Sequence, residues 1–255
     1  MLNIGVFGGN GRVGRLIVEA AMRMDEVKLQ SIYVRKDLDF SIASEVFVTN
    51  HLKDFVEDSG IIIDFTTPDG TQQLLEMALS YPKPIVIGTT GLQKQHESLM
   101  REACTKMPIF YASNMSLGVV VLNRAIKMVA QTLRDFDIEV VETHHRYKKD
   151  SPSGTALSLA KTCAEARGLD LDMVRISKRD GNIGERKKEE IGVMSLRGGD
   201  VVGIHNVGFY GDGEYLEFLH TATSRLTFAK GAIKAACWLK NQSSGLYGIE
   251  DLLDF

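Results

Sequence analysis

Leu2-Asn3-Ile4-Gly5-Val6-Phe7-Gly8-Gly9-Asn10-Gly11-Arg12-Val13-Gly14 decides the fold. A short apolar run ends in a glycine cluster, and the helical pattern GRLIVEAAMRM follows at once. Strand, glycine turn and helix in that order are the context a dinucleotide fingerprint requires. Two spacings fit: G-x-G-x-x-G on Gly9, Gly11 and Gly14, and G-x-x-G-x-x-G on Gly8, Gly11 and Gly14. Glycine permits the tight turn and lets backbone amides approach a pyrophosphate, while Gly14 allows the helix to pack closely on the strand. Glycine clusters also make ordinary turns. Position at the first βα junction is what favours a cofactor, with Gly8 to Gly14, including Asn10, Arg12 and Val13, as its cradle.

The runs that follow repeat the alternation. KLQSIYV (28–34), IIIDF (61–65), PIVIG (84–88) and IFYAS (109–113) read as strands, with helical patterns over 70–80 and 94–106. Strands alternating with helices imply a Rossmann-type, doubly wound parallel sheet in an α/β fold. In such folds the end of the second strand meets the adenosine ribose, where an acidic residue takes the 2′-hydroxyl. This chain has Val34-Arg35-Lys36 instead, two cations suited to a 2′-phosphate. That favours NADPH over NADH, against the plainer reading of a solvated basic loop offset by Asp37 and Asp39. Three turns, Thr66-Thr67-Pro68, Gly88-Thr89-Thr90-Gly91 and Ala112-Ser113-Asn114-Met115-Ser116, follow the next strands and open on the carboxyl edge of the sheet, where ligands bind. On spacing alone they are helix caps as readily as ligand contacts.

A long apolar-periodic helix over 117–134 leads away from this domain. Strand patterns then dominate (VRISK, IGVMSLRGG, VVGIHNVGFYG, EYLEFLHTATS), so a second, α+β substrate domain is expected. The final helix, 228–242, returns to pack on the first. The expected division is a dinucleotide domain of 1–116 with 226–255 and a substrate domain of 117–225.

The second domain carries Glu142-Thr143-His144-His145-Arg146-Tyr147-Lys148-Lys149-Asp150-Ser151-Pro152-Ser153-Gly154-Thr155-Ala156. The preceding DIEVVE alternates like a half-buried strand, so the histidines fall at or just beyond its end. After Pro152 the segment SGTALSLAKTCAEA has helical spacing with Ser153 placed as N-cap. The amides of Gly154 and Thr155 then lie at a helix N-terminus, where a carboxylate or phosphate is favoured. Adjacent residues of a strand face opposite sides, so His144 and His145 share a pocket only if the chain bends there. The plainer reading makes one histidine structural, Lys148 a solvated charge and Ser153 a mere cap; the anion turn directly after them favours a functional site. Zinc is disfavoured, because no spacing assembles three or four ligands and the lysine opposes a cation.

A formal net charge of −3, a pI near 6.1, 44% apolar and 25% charged residues describe an ordinary globular chain and give no reason to expect nucleic acid or a membrane surface. Cys104, Cys163 and Cys237 are far apart, without C-x-x-C, and read as reduced, buried thiols of a cytoplasmic protein. No secretory leader or membrane span is read in the sequence.

The string E-x-H-H-x-x-K-x-D-x-P-S-G-T-A, carried by Glu142, His144, His145, Lys148, Asp150, Pro152, Ser153, Gly154, Thr155 and Ala156, closely resembles the signature of the dihydrodipicolinate reductase family of diaminopimelate and lysine biosynthesis. The resemblance implies hydride transfer from NADPH or NADH to an unsaturated ring dicarboxylate, giving tetrahydrodipicolinate, with the ligand held across a cleft that closes. It further implies nicotinamide contacts at Gly88, Thr89 and Thr90 and at Ala112, Ser113, Asn114 and Met115. A homotetramer built through the strand-rich domain is also implied; the charged, glycine-containing loop with Arg179-Asp180-Gly181-Asn182-Ile183-Gly184-Glu185-Arg186 reads on composition as a mobile, solvated surface segment, and the resemblance implies a lid there instead. The family often has an acidic then a basic residue at the ribose position, and Val34 replaces the acid here.

An imidazole titrates near physiological pH, which makes His144 the candidate general acid with Lys148 as second donor or electrostatic stabiliser. His145, Lys148, Gly154 and Thr155 are the candidate carboxylate contacts. Which imidazole takes which role is left open by the sequence. Two alternatives stand beside this reading: another two-domain amino-acid or dicarboxylate dehydrogenase, and a non-catalytic NAD(P)H sensor, which has no need of the His-His-Lys-Gly-Thr cluster.

Overall fold

In chain order the elements are β1 (Leu2–Phe7), α1 (Arg12–Ala21), β2 (Val27–Tyr33), β3 (Phe47–Thr49), α2 (Leu52–Asp58), β4 (Ile61–Asp64), α3 (Pro68–Ser80), β5 (Ile85–Ile87), α4 (Lys94–Ala103), β6 (Pro108–Tyr111), α5 (Leu117–Thr132), β7 (Asp137–His144), α6 (Gly154–Arg167), α7 (Leu171–Val174), β8 (Arg175–Ile176), β9 (Ile191–Arg197), β10 (Gly203–Tyr210), β11 (Tyr215–Ala222), α8 (Leu226–Leu239) and β12 (Gly245–Tyr247). This computed structural model describes residues 1–253; residues 254 and 255, at the end of the expected dinucleotide domain, lie outside the described residues. The chain divides into two units, Met1–Ser116 with Arg225–Phe255, and Leu117–Ser224.

The first unit holds a seven-stranded sheet in the order β12-β6-β5-β4-β1-β2-β3, parallel throughout. Its inner strands read as continuous apolar runs because helices cover both faces, and all four residues of β4 are buried. Phe7, Phe55, Leu74, Leu75, Met100 and Ile109 belong to one core cluster. The Phe7 and Tyr33 rings stack within it at 4.6 Å. Helix α8 packs against α1 and against β4, β5 and β6, so the end of the chain completes the first unit. The sequence reading missed β3, α2 and β12. Strands β3 and β12 have only three residues each, and α2 begins at His51 without a side-chain cap, its place set by the burial of Phe55 and Val56.

The second unit is a five-stranded mixed sheet, β11-β10-β7-β9-β8. Strand β10 runs antiparallel to β7 and β11, whereas β9 is parallel to β7 and β8. Helices α5 and α6 share a core with the sheet through Ile126, Leu159, Cys163, Ile138, Val140, Val193, Val207 and Phe209. The guanidinium of Arg167 at the end of α6 donates to the carbonyls of Ala130, Leu133 and Phe136, satisfying the C-terminus of α5. Expected as a strand, VRISK contributes only Arg175–Ile176, because Asp170 caps a helical turn directly before it. Among the described residues no helix is long and apolar enough to cross a membrane, and no group of three or more His, Cys, Asp or Glu side chains is arranged to hold a metal.

Candidate active site

The glycine turn is built as a cradle. Gly8 adopts φ +91°, open to glycine, and the amides of Gly8 and Gly9 both donate to the Tyr33 carbonyl, at 2.9 and 3.1 Å. A Cβ on Gly14 would lie 2.2 Å from the Gly8 carbonyl oxygen, and one on Gly9 2.3 Å from Ile32 Cγ2, so neither position admits a side chain without movement. Gly11 stands at the N-cap of α1 without a side-chain cap, and no acidic residue occupies the first turn, where Arg12 is exposed and Val13 half-buried. That leaves the positive end of the helix suited to a pyrophosphate, and the residues fit a dinucleotide. Asn10 holds the loop after β2 in place: its Nδ2 donates to the Asp37 carbonyl at 3.0 Å, and its Oδ1 accepts the Asp39 amide at 3.2 Å. Asp39 also lies 3.9 Å from Arg15, while Val34 is buried and Arg35 and Lys36 are exposed.

The turns after β4 and β5 are joined around a buried carboxyl. Asp64 Oδ1 accepts the Thr66 amide at 3.0 Å and the Thr66 hydroxyl at 2.6 Å, and Oδ2 accepts the Thr71 hydroxyl. The Thr66 amide also reaches Thr89 Oγ1 at 3.0 Å, and the Gly88 amide donates to the Asp64 carbonyl at 2.8 Å. Burial pushes the Asp64 carboxyl above its usual range despite its hydroxyl partners. Asn114 Oδ1 accepts the Ser116 amide at 2.8 Å; Ala112 and Met115 are buried, while Ser113 and Thr90 are exposed. The candidate nicotinamide residues thus divide into those that hold the turns and those that stand at their surface.

In the second unit, the period of two along β7 turns Ile138, Val140, Glu142 and His144 to one buried face. Register across the sheet aligns His220, His205, Glu142 and Ser195 in one row, with His144 opposite Arg197 in the next. Glu142, fully buried, is the hub. Its Oε2 accepts His144 Nδ1 at 2.5 Å and Arg197 Nη1 at 2.9 Å; its Oε1 accepts Arg197 Nη2 at 2.8 Å and the Ser153 amide at 3.0 Å. Burial raises the Glu142 carboxyl, but the Arg197 guanidinium and then His144 outweigh it and hold it down to about 2. Glu142 is therefore the acceptor, His144 Nδ1 carries a proton, and Nε2 is left for other chemistry. Burial lowers the His144 imidazole, opposed by Glu142 and reinforced by the charges of Lys148 and Arg197.

Ser153 caps α6 as the sequence indicates: its hydroxyl accepts the Ala156 amide at 3.2 Å and pairs with His205 Nε2 at 3.2 Å. Gly154 and Thr155 occupy the first positions of α6, ahead of its internal hydrogen-bond ladder, and a Cβ on Gly154 would meet nothing within 4 Å. The chain does bend after His144, where the Lys148 amide donates to the His145 carbonyl at 3.1 Å. The two imidazoles have different neighbours: the His144 ring lies 5.2 Å from that of His205, and the His145 ring 6.2 Å from exposed Tyr147. Lys148 Nζ pairs with Asp150 at 2.8 Å.

A model of the N-terminal portion of dihydrodipicolinate reductase matches residues 2–115, and one of its C-terminal portion matches residues 118–253. The chain belongs to the dihydrodipicolinate reductase family. It is 61% identical over 254 residues to a 4-hydroxy-tetrahydrodipicolinate reductase of Wolinella succinogenes, covering 99% of both chains. A counterpart from Helicobacter hepaticus is 57% identical and covered in full, as is this chain. Among solved structures, a dipicolinate-bound dihydrodipicolinate reductase from Paenisporosarcina sp. TG-14 shares the fold with a TM-score of 0.79 at 23% identity, covering 99% of this chain and all of that one.

Sequence reasoning assigned no role to Glu142, Arg197 or His205. The spacing of Glu142 and His144, two apart on a strand whose other inward residues are apolar, was the available signal for a buried carboxylate beside an imidazole. The 179–186 loop is tied to the sheet by its two arginines. Arg179 binds Glu139 through both terminal nitrogens, at 2.7 and 2.8 Å, and Arg186 binds Asp137 at 2.7 Å and Glu139 at 3.2 Å. Both arginines therefore anchor the loop at the start of β7, the end away from His144.

Proposed function

We propose that this enzyme reduces 4-hydroxy-tetrahydrodipicolinate to tetrahydrodipicolinate with a reduced nicotinamide dinucleotide, in lysine and diaminopimelate biosynthesis. The bound dinucleotide supplies the hydride. Replacing a ring C–OH by C–H consumes one hydride and one proton and releases one water, so the chain must deliver a proton while holding a dicarboxylate. The observation that carries the reading is the buried contact of His144 Nδ1 with Glu142, which commits that nitrogen and leaves Nε2 as the atom from which a protonated His144 gives up its proton.

In this reading His144 is the general acid, and His145, Lys148, Gly154 and Thr155 hold the substrate carboxylates. Lys148 leaves Asp150 for a substrate carboxylate or contacts both. Gly8 to Gly14, Gly88 to Thr90 and Ala112 to Met115 line the cofactor side. NADPH is the preferred cofactor and NADH the lesser one, because exposed Arg35 and Lys36 follow a buried Val34 where an acid would select the 2′-hydroxyl. We place the enzyme in the cytoplasm as a homotetramer built through the strand-rich unit, whose strand β11 exposes Tyr215, Leu216 and Leu219.

The test is loss of reduced-nicotinamide absorbance with NADPH and, separately, NADH, using the condensation product of pyruvate and aspartate semialdehyde as substrate. Turnover with NADPH preferred is expected; equal use of both cofactors discards the Arg35 and Lys36 reading, and no turnover with cofactor binding intact points to another dehydrogenase. His144→Gln is expected to lower turnover more than substrate affinity, and Lys148→Ala to damage both; equal, purely affinity-based losses contradict these roles.

A further inference from the structure

Resting on the reductase reading of this site, we propose that Glu142 and Arg197 act as a positioning pair that fixes the proton donor, the anion-binding turn and the Lys148 segment as one unit. Every acceptor position of the Glu142 carboxylate is used: twice by Arg197, once by His144 Nδ1 and once by the Ser153 amide. A carboxylate held by four donors from three separate segments cannot rotate, so the ring it orients cannot either. Strand β10 completes the setting with Gly203, where a Cβ would stand 3.1 Å from His144 Nε2; glycine keeps the space beside the reactive nitrogen clear.

Arg197 does more than neutralise Glu142. Its Nη2 donates to the Asp150 carbonyl at 2.7 Å, and Asp150 holds Lys148, so the same guanidinium reaches the turn that carries the second cation. The amide of Gly198 donates to the His144 carbonyl at 3.0 Å, fastening the backbone of the donor as well.

The pair also sets the proton affinity of the imidazole. Around His144 stand Glu142 on β7, Arg197 on β9, His205 on β10 with His220 behind it on β11, and Lys148 with Asp150 on the turn. Glu142 draws the imidazole toward its charged form, while Arg197 and Lys148 oppose it. A carboxylate without Arg197 would hold the imidazolium too firmly to release its proton; an arginine without the carboxylate would expel that proton.

Substituting the two partners therefore moves the titration of His144 in opposite directions, which general structural damage does not. In Glu142→Gln the alkaline limb of kcat is expected to move about one pH unit or more toward acid. In Arg197→Met it is expected to move toward alkali. Dinucleotide affinity is expected to be unchanged in both. The ring-proton titration of His144, followed by NMR, reports the same opposite shifts without any turnover, so failure of the pair is distinguishable from failure of the reductase reading. Shifts of the same sign, or none, overturn the proposal. If Glu142→Gln does not fold, Arg197→Lys decides: it keeps the charge but loses the two-pronged bond, so the limb stays while kcat falls roughly tenfold or more, and an unchanged kcat overturns the proposal.

Discussion

His205→Gln should make the protein less sensitive to acid, although it removes a buried ring. His205 is 4% exposed; its Nε2 pairs with the Ser153 hydroxyl and its Nδ1 has no hydrogen-bond partner. Ser153 Oγ accepts the Ala156 amide and shares its remaining hydrogen bond with Nε2, either atom donating, and His205 is folded as a neutral ring. Burial, with the charges of His144 and His220, pushes its pKa from the ordinary 6.5 down to about 4. The sign follows from the folded value lying below the unfolded one: above 6.5 neither state binds the proton, and as pH falls from 6.5 toward 4 only the unfolded state does, so stability is lost across that window. At about 1.36 kcal/mol per unit the full loss is about 3 kcal/mol, of which about 2 kcal/mol is felt by pH 5. Glutamine places Oε1 near the position of Nε2 and can accept the Ser153 hydroxyl without titrating. Denaturant midpoints measured from pH 7.5 to about 4.5 should fall more steeply for the parent than for the variant, whatever their offset at neutral pH. Parallel curves would refute the argument that His205 is buried neutral.

Three further expectations follow from contacts that cannot yield. Gly14→Ala places a Cβ 2.2 Å from a backbone oxygen; it should cost about 1–3 kcal/mol in thermal unfolding and weaken NADPH binding measured by fluorescence, and an unaffected affinity would remove Gly14 from the cradle. Thr71→Val takes the hydroxyl donor from the buried Asp64 Oδ2; a loss of about 1–3 kcal/mol is expected, with looser dinucleotide binding because Asp64 holds the Thr66 and Gly88 turns. Arg186→Ala releases Asp137 and leaves Glu139 to Arg179 alone, so limited proteolysis should cut within 178–190 faster while NADPH affinity stays the same; protection equal to the parent would show that Arg179 suffices to hold the loop.

The first unit was legible because its apolar runs, glycine turn and helical patterns agree at every level. The histidines and lysine before the Ser153 turn stood out by their spacing to it, and the Ser153 cap was readable from Pro152-Ser153-Gly154-Thr155 alone. The network behind them was not, because its members come from distant strands. Arg197 meets Glu142 across 55 residues and His205 meets Ser153 across 52, so only the pairing of β7 with β9 and β10 makes them neighbours. For the 179–186 loop, glycines and charges imply mobility, yet Arg179 and Arg186 find a carboxylate, Glu139, that lies 40 residues from the first and 47 from the second.

The same register explains how the unit tolerates its site. Desolvating Glu142 and Arg197 is expensive, and an apolar pair of equal volume would stabilise the core as well or better. The cost is bearable because it falls in rows at one end of the sheet, next to the row of Val140, Val193 and Val207, whose burial carries the packing. A slip of one residue in either pairing of β7 would turn Glu142 and His144 out of alignment with Arg197, His205 and Ser153. The apolar rows thus do two things at once: they stabilise the unit, and by fixing the register of β9 and β10 on β7 they bring a carboxylate, a guanidinium and an imidazole to one place. A substitution in those rows acts on the chemistry only by shifting that alignment, whereas one in the polar rows changes the charges themselves.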